Sequence, residues 1–166
     1  MTLISIVTAL SNNVGMTPPD VVVTSGLRQW QEALQFANEA GEELARRVDW
    51  GQLQAQVTLT GDGTNKVHAL PTVFSRLNRG VSVMFGTGIV RPLTRAEWSR
   101  LVPVEGVPRY YLLEGRELTL WPYLANAATA VAQYQSAAWC SNGTAAFTAD
   151  TDTSLIDEWL FAKALI

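Results

Sequence analysis

The chain has 166 residues, of which 48% are hydrophobic and 16% are charged, and its formal net charge is -3. This length is typical of one domain, and the hydrophobic content is sufficient for a packed core and excludes a wholly disordered chain. The negative net charge disfavours a general nucleic-acid-binding protein, because such a protein needs a basic surface. A single cysteine, Cys140, excludes an internal disulfide and a cysteine-rich zinc site. A single histidine, His68, makes a histidine-based metal site or triad hard to assemble.

The first 15 residues contain an apolar run, but they lack the positively charged region and the small-residue cleavage site of a secretory signal. No stretch of the sequence approaches the about 20 apolar residues that a membrane helix needs. We therefore expect a protein without a membrane partner that is made in a reducing cytoplasm, with which the single cysteine is consistent.

Two helices are predicted in the N-terminal third of the chain. Residues 3–12 have a short apolar pattern, and the two prolines within residues 15–20 then interrupt helical structure. Ser25 is predicted to cap the second helix, and Arg46 and Arg47 suit its negative C-terminal end. Its apolar or small residues recur at alternating steps of three and four and predict one buried stripe: Leu27, Trp30, Leu34, Ala37, Gly41, Leu44 and Val48.

After Trp50 the period changes to two, which indicates strands. Residues 54–60 and 66–71 are predicted to form a hairpin around a turn at 61–65. A short helix at 93–101 is predicted to begin with a capping box of Thr94 and Glu97. Further strands are predicted at residues 81–85, at 109–115 and 116–122 around a Glu114-Gly115 turn, and at 128–139, where the alanines leave a helix as the alternative.

This order of elements predicts an α+β fold in which N- and C-terminal helices pack together and carry an inserted antiparallel β lobe. The chain is expected to be a single domain over residues 1–166. The helical part is predicted at residues 1–50 and 153–166, and the β lobe at residues 51–150.

The acidic segment near the C-terminus resembles the opening of a calcium loop. Asp150, Asp152 and Ser154 fall at alternate positions, as the first three ligands of such a loop do. However, Leu155 stands where the loop requires glycine, and Phe161 stands where it requires a bidentate glutamate.

A helix start explains more of the same residues. Ser154 or Asp152 would cap the helix, Asp157 would complete a capping box with Ser154, and Asp157 and Glu158 would lie at the positive end of the helix dipole. The sequence therefore predicts that a final helix begins near Ser154, and it predicts no metal site.

No group of residues predicts catalysis. His68 has no nearby partner and is predicted to be a structural or surface residue, and Cys140 is predicted to be a buried or idle thiol. The glycine pairs at 61–65 and 86–90 lack the following helix of a phosphate site and are predicted to be turns. We therefore predict no enzyme, no catalytic residue and no cofactor. The alternative is a small hydrolase or a carbohydrate-binding module built on the β lobe.

Six tryptophans are a high number for this length. Most are expected in the core, but tryptophan and tyrosine with few basic residues also suit protein–protein contact surfaces. Gly41, at the centre of the apolar stripe, is expected to allow the close approach of a neighbouring helix. The predicted interface residues are Trp30, Gly41, Trp159 and Phe161.

Five segments, in order and spacing, resemble the head-to-tail connector, or adaptor, proteins of tailed bacteriophages. They are "NEAGEELARRVDWGQLQ" (38–54), "ALPTVFSRL" (69–77), "PLTRAEWSRL" (92–101), "PRYYLLEGRELTLWP" (108–122) and "FTADTDTSLIDEWL" (147–160). The resemblance covers residues 25–166, and it rests on order and spacing because no single segment is a catalytic fingerprint.

The resemblance implies a structural virion protein. Such adaptors form a ring, usually of twelve copies, between the portal at the capsid vertex and the tail, and the ring lines the DNA channel. The implied partners are the portal protein, tail or neck proteins, further copies of the chain, and double-stranded DNA that passes without sequence recognition. The implied location is the neck of the virion, after synthesis in the host bacterial cytoplasm. In relatives the final helix continues into a basic, tryptophan-rich tail that reaches the portal, and this sequence ends at Ile166, before such a tail.

Overall fold

The computed structural model describes residues 1–157, Leu160 and Phe161. It divides the chain into two units, one made of residues 1–53 together with the described residues from 136 onward, and one made of residues 54–135. The predicted final-helix residues Glu158, Trp159 and 162–166 lie outside the described residues.

The first helix, α1, spans Leu3–Asn13 and confirms the helix predicted at residues 3–12. Thr2 caps it, because its side-chain oxygen accepts the Ser5 backbone N–H at 3.3 Å. Leu3, Ile6 and Val7 are almost fully buried. Their spacing of three and four places them on one face of the helix, so this face belongs to the core of the first unit.

The second helix, α2, spans Arg28–Arg47. Its buried residues are Trp30, Ala33, Ala37, Gly41, Leu44 and Ala45. The predicted stripe is therefore confirmed in its central part, but it is wrong at both ends, where Leu27 and Val48 are exposed. The predicted cap is also wrong, because Leu27 occupies the N-cap without a side-chain bond and Ser25 Oγ accepts only the Leu27 N–H, at 3.3 Å.

An irregular segment, residues 137–157, packs against α2 and completes the core of the first unit. Trp139 lies within that core, and its ring centroid is 4.9 Å from that of Phe147 and 5.7 Å from that of Phe161. The Phe147 N–H donates to Asn38 Oδ1 on α2 at 2.8 Å. All three aromatic side chains are buried.

The second unit is an eight-stranded sheet. Its strands are β1 (Gln54–Thr60), β2 (Val67–Ala69), β3 (Phe74–Leu77), β4 (Val83–Phe85), β5 (Gly88–Pro92), β6 (Tyr110–Glu114), β7 (Glu117–Trp121) and β8 (Thr129–Ser136). The strand order is β1-β8-β4-β5-β6-β7-β2, and β3 also pairs with β8. The longest ladder joins β1 and β8, from Gln54 opposite Gln135 to Thr60 opposite Thr129.

Several local predictions in this unit are confirmed. The β6–β7 hairpin turns at Gly115, whose φ of 61° lies in the left-handed region that glycine adopts without strain. The short helix α3, Arg95–Trp98, begins with the predicted capping box of Thr94 and Glu97. The predicted last strand corresponds to β8.

The predicted hairpin between residues 54–60 and 66–71 is wrong. β1 pairs with β8, whereas β2 pairs with β7. The turn at 61–65 is a local loop in which Asp62 Oδ1 accepts the Thr64 and Asn65 backbone N–H groups, at 2.9 and 2.6 Å. Because this loop satisfies its own donors, it does not require the two flanking strands to pair. The strands β3 and β5 were not predicted at all.

The predicted fold class, α+β with N- and C-terminal helices packed together and an inserted antiparallel β lobe, is wrong. The fold is mostly β, with an eight-stranded, nearly barrel-like sheet, and β5 and β6 pair in parallel. The α2 helix packs against α1 and the irregular segment 137–157. The physical reason is that residues 54–135 bury a core of their own within the sheet, and that Trp139 and Phe147 of an irregular segment pack in the core around α2 together with helical residues.

Candidate functional site

The segment 150–157, which contains Asp150, Asp152 and Asp157, is bonded to neighbouring loops of the first unit. The predicted helix start at Ser154 is wrong. Asp150 Oδ1 accepts the backbone N–H groups of Val22 and Val23, at 3.1 and 2.9 Å. Ser154 forms a β-bridge with Cys140, and its Oγ accepts the Ile156 N–H at 3.1 Å. These bonds hold two irregular segments together, which is a structural role.

Asp152 organises the loop before it. Its Oδ2 accepts the N–H groups of Thr148 and Ala149, at 2.7 and 2.8 Å, and the Asn142 side-chain amide at 2.8 Å. The pKa of Asp152 lies below its ordinary value, mainly because the Thr148 N–H stabilises the carboxylate and despite the opposing cost of desolvation. Within the described residues, no group of three or more histidine, cysteine, aspartate or glutamate side chains is arranged to hold a metal ion.

The helix start itself lies three residues later than predicted. Asp157 Oδ1 accepts the Leu160 N–H at 3.1 Å, and the Asp157 carbonyl accepts the Phe161 N–H at 3.0 Å. This is the bonding pattern of an N-cap residue. Asp157 therefore caps the helical backbone at Leu160 and Phe161.

The two residues considered for catalysis belong to different units. His68 lies on β2, its Nε2 is buried without a hydrogen-bond partner in the described residues, and burial lowers its pKa. Cys140 is fully buried, as predicted, and burial raises the pKa of its thiol. A neutral imidazole and a protonated thiol in such places have the character of packing residues.

Three of the four residues predicted to form an interface lie inside the first unit. Trp30 is 6% exposed and Phe161 is fully buried. Gly41 faces the Trp139 ring of its own chain, which corrects the expectation that it admits a neighbouring helix. Trp159 lies outside the described residues. The assignment of these residues to an interface between subunits stays a prediction.

An apolar groove lies between α1 and α2, and the sequence pattern did not predict it. The groove has a volume of about 550 Å³, within the range of small-ligand and peptide sites. Three of its apolar lining residues are exposed, namely Val14 (60%), Met16 (39%) and Phe36 (58%). Phe36 was not part of the predicted stripe, and an unexplained aromatic on the polar face of α2 was the signal in the sequence.

Acidic side chains line the α2 side of this groove. Glu32 pairs with Arg28, and Glu43 pairs with Arg47. Glu39 accepts a hydrogen bond from Gln35 at 2.8 Å and forms no ion pair within the described part of the chain. The groove therefore combines an apolar floor with a negatively charged rim.

The carbohydrate-binding alternative has one candidate place, a pocket of about 210 Å³ next to Trp98, Trp121 and Tyr123. This volume is below the roughly 300 Å³ at which ligand pockets begin. The Trp121 indole N–H is bonded to the Val102 carbonyl at 2.8 Å. The pocket therefore gives the alternative no support.

No helix in the described part of the chain is long and apolar enough to cross a membrane. Within the described residues, the groove between α1 and α2 leaves Val14, Met16 and Phe36 exposed. An exposed apolar groove with charged side chains at its edge is typical of a surface that contacts another protein.

The chain belongs to the SU10 adaptor protein family, because the sequence model of that family matches residues 1–165. This is a phage head-to-tail adaptor family, and the recognition made from the sequence is confirmed. The protein is accordingly a structural component of the virion that interacts with other head and tail proteins. A search of curated proteins finds no match to the chain.

Proposed function

We propose that this protein is a head-to-tail connector that assembles as a ring of twelve copies between the portal and the tail. In this proposal the ring contacts the portal protein on one side and tail or neck proteins on the other. Synthesis takes place in the host bacterial cytoplasm. Membership of the adaptor family supports the proposal.

The observation that carries the proposal is the exposed groove between α1 and α2. Monomeric proteins rarely leave a contiguous apolar surface open, and such surfaces mark contact sites. Val14 and Phe36 are each more than half exposed although they lie in or next to regular helices. A closed ring forms through heterologous contacts between identical subunits, and it would cover such a surface in every copy.

We further propose that the ring lines the channel for double-stranded DNA. Helix α2 carries three arginines and four glutamates, and each arginine forms an ion pair four residues along the helix: Arg28 with Glu32, Arg46 with Glu42 and Arg47 with Glu43. Paired arginines and a net charge of -3 weaken the phosphate contacts that hold a protein on DNA. A surface of this kind suits DNA that must slide without sequence recognition.

The proposal is tested by assembly with the portal and neck proteins encoded by the same phage. Negative-stain images should show rings attached to the portal, and mass photometry should show about 217 kDa for twelve copies of the 18.1 kDa chain. Phe36→Asp should prevent assembly, whereas Ile89→Asp, at an equally exposed residue of β5, should not. A chain that remains monomeric and never associates with these proteins would refute the proposal.

A further inference from the structure

A second apolar surface lies in the other unit. Residues 101–108 form an irregular segment between α3 and β6, and this segment exposes Val102 (76%), Val104 (46%) and Val107 (60%). Three exposed valines within six residues are an unusual concentration for a loop in water. Such patches mark contact sites when they are held in an ordered conformation.

Hydrogen bonds hold the backbone of this segment in place. The Trp121 side chain donates to the Val102 carbonyl at 2.8 Å, and the Tyr123 N–H donates to the Val104 carbonyl at 3.0 Å. The Gly106 N–H donates in turn to the Tyr123 carbonyl at 3.0 Å. A segment fixed in this way loses little conformational entropy when it binds, which favours association.

The charges beside the valines complement the α1–α2 groove. Arg100 and Arg109 flank the segment and outnumber its one acidic residue, Glu105, and all three are exposed. The groove carries Glu39 on its rim, with no ion pair in the described part of the chain. Opposite charges around an apolar contact fix its register and disfavour wrong partners.

A ring built from one kind of chain needs two different, complementary surfaces on every copy. We propose that the α1–α2 groove of one copy binds the 101–108 segment of the next copy, with the three valines in the groove and an arginine against Glu39. This inference rests on the proposed function, because it names the contact that closes the ring.

The contact is tested by photo-cross-linking in the full-length protein. Gln29 lines the groove and is exposed, so Gln29→Cys can carry a benzophenone maleimide at its edge. The native Cys140 is fully buried and is expected to react little. Rings are assembled with portal and neck proteins from equal amounts of labelled and isotopically heavy chain, irradiated and digested. Thr58→Cys, at an exposed residue of β1 that does not line the groove, is the control.

We expect the groove label to form cross-links to a peptide containing residues 101–108 of a different copy, and the control label to form few. Intact rings whose cross-links join the groove to another segment or to a different neck protein would overturn this inference and leave the proposed function standing. Equal yields from the groove and control labels would overturn it as well. If no ring formed, both this inference and the proposed function would be overturned.

A charge exchange tests the same contact without a label. Arg109→Glu should raise the concentration for half-maximal assembly roughly tenfold, because it places two carboxylates together. Adding Glu39→Arg should restore assembly, since the attraction returns with reversed signs. Arg91→Glu, at an exposed arginine of β5, should have little effect. Failure of the second substitution to rescue the first would contradict the pairing.

Discussion

Gly41 on α2 lies directly against the indole ring of Trp139. A Cβ atom added at residue 41 would lie 2.4 Å from Cζ2 of this ring and 2.5 Å from Cη2. The ring is fully buried and is held between Phe147 and Phe161, whose centroids lie 4.9 and 5.7 Å away. A glycine therefore occupies the middle of a helix because no larger residue fits beneath this tryptophan.

We expect Gly41→Ala to destabilise the protein by up to about 2 kcal/mol net, because overpacking a core usually costs about 1–3 kcal/mol. Alanine gains about 1 kcal/mol of helix propensity over glycine, but this gain is smaller than the cost of displacing a buried aromatic ring. Urea unfolding followed by tryptophan fluorescence measures the difference.

Gly26→Ala is the control for this measurement, because an added Cβ there meets no atom within 4 Å. It should leave the free energy of unfolding almost unchanged or raise it slightly. An increase in stability for Gly41→Ala would show that the Trp139 ring has room to move.

The second prediction concerns Trp30, which is 6% exposed and belongs to the same core. Trp30→Ala should cost about 3–5 kcal/mol, the typical loss for removing a buried large aromatic side chain. Phe36→Ala is a matched aromatic control on the exposed side of α2, and it should change the free energy of unfolding by less than about 0.5 kcal/mol. If chemical unfolding gave similar losses for the two variants, the buried face of α2 would not be the one that contains Trp30.

The central part of α2 could be predicted from the sequence because its periodicity is strong. The predicted stripe used alternating steps of three and four, an average of about 3.5, whereas a straight helix has 3.6 residues per turn and drifts by about 20° per heptad. Within the 20 residues of α2 this drift brings Ala33 and Ala45 into the buried face, whereas Leu27 and Val48 are exposed because they lie outside the helix, at its N-cap and C-cap, where the backbone is extended. The local periodicity therefore predicted the helix, but it did not predict where the helix begins and ends.

Strand pairing could not be predicted in the same way. The β6–β7 hairpin was found because its partners are adjacent in sequence and joined by Gly115. The partner of β1 is β8, whose residue Gln135 faces Gln54 across a long intervening stretch of chain. Nothing in the alternation of apolar residues within β1 specifies so distant a partner, and the nearest candidate was chosen wrongly.

The candidate site was least accessible from sequence. The groove depends on the crossing of α1 and α2, and its lining combines residues such as Val14 and Phe36 that lie on different elements. Likewise, Trp139 fills the core beside α2 from an irregular segment that has no periodicity of its own. The family resemblance indicated the function, whereas the groove and the packing of Trp139 could be identified only from the three-dimensional structure.

The third prediction concerns the start of the last helix. Asp157→Ala should cost about 0.5–2 kcal/mol, because the Leu160 N–H that now donates to Asp157 Oδ1 would lose its partner. Ser154→Ala should cost less, since its Oγ bonds only to the backbone of Ile156, two residues away. Thermal unfolding of the two variants measures both values. A larger loss for Ser154→Ala would restore the helix start predicted from the sequence.

The last prediction follows from the depressed pKa of Asp152. The folded state lowers this pKa below its ordinary value of 3.8, chiefly through the Thr148 N–H and also through the Ala149 N–H, against the cost of desolvation. A carboxylate that binds protons less tightly in the folded state stabilises the protein fully above its unfolded pKa. This contribution declines as the pH falls through the lower pKa of the folded state.

Thermal unfolding of the native chain and of Asp152→Asn, measured between pH 7 and about pH 2.5, tests this linkage. The native chain should melt at the higher temperature near neutral pH, because asparagine lacks the charge that the Thr148 and Ala149 N–H groups stabilise. The difference should stay constant down to about pH 5 and then shrink as Asp152 becomes protonated in the folded state. Asp62 and Glu97, whose pKa values are also lowered by backbone N–H donors, are present in both chains, so their contributions cancel in the comparison. A difference that stays the same at every pH would mean that the Asp152 charge does not stabilise the loop, and that only the shape of its side chain does.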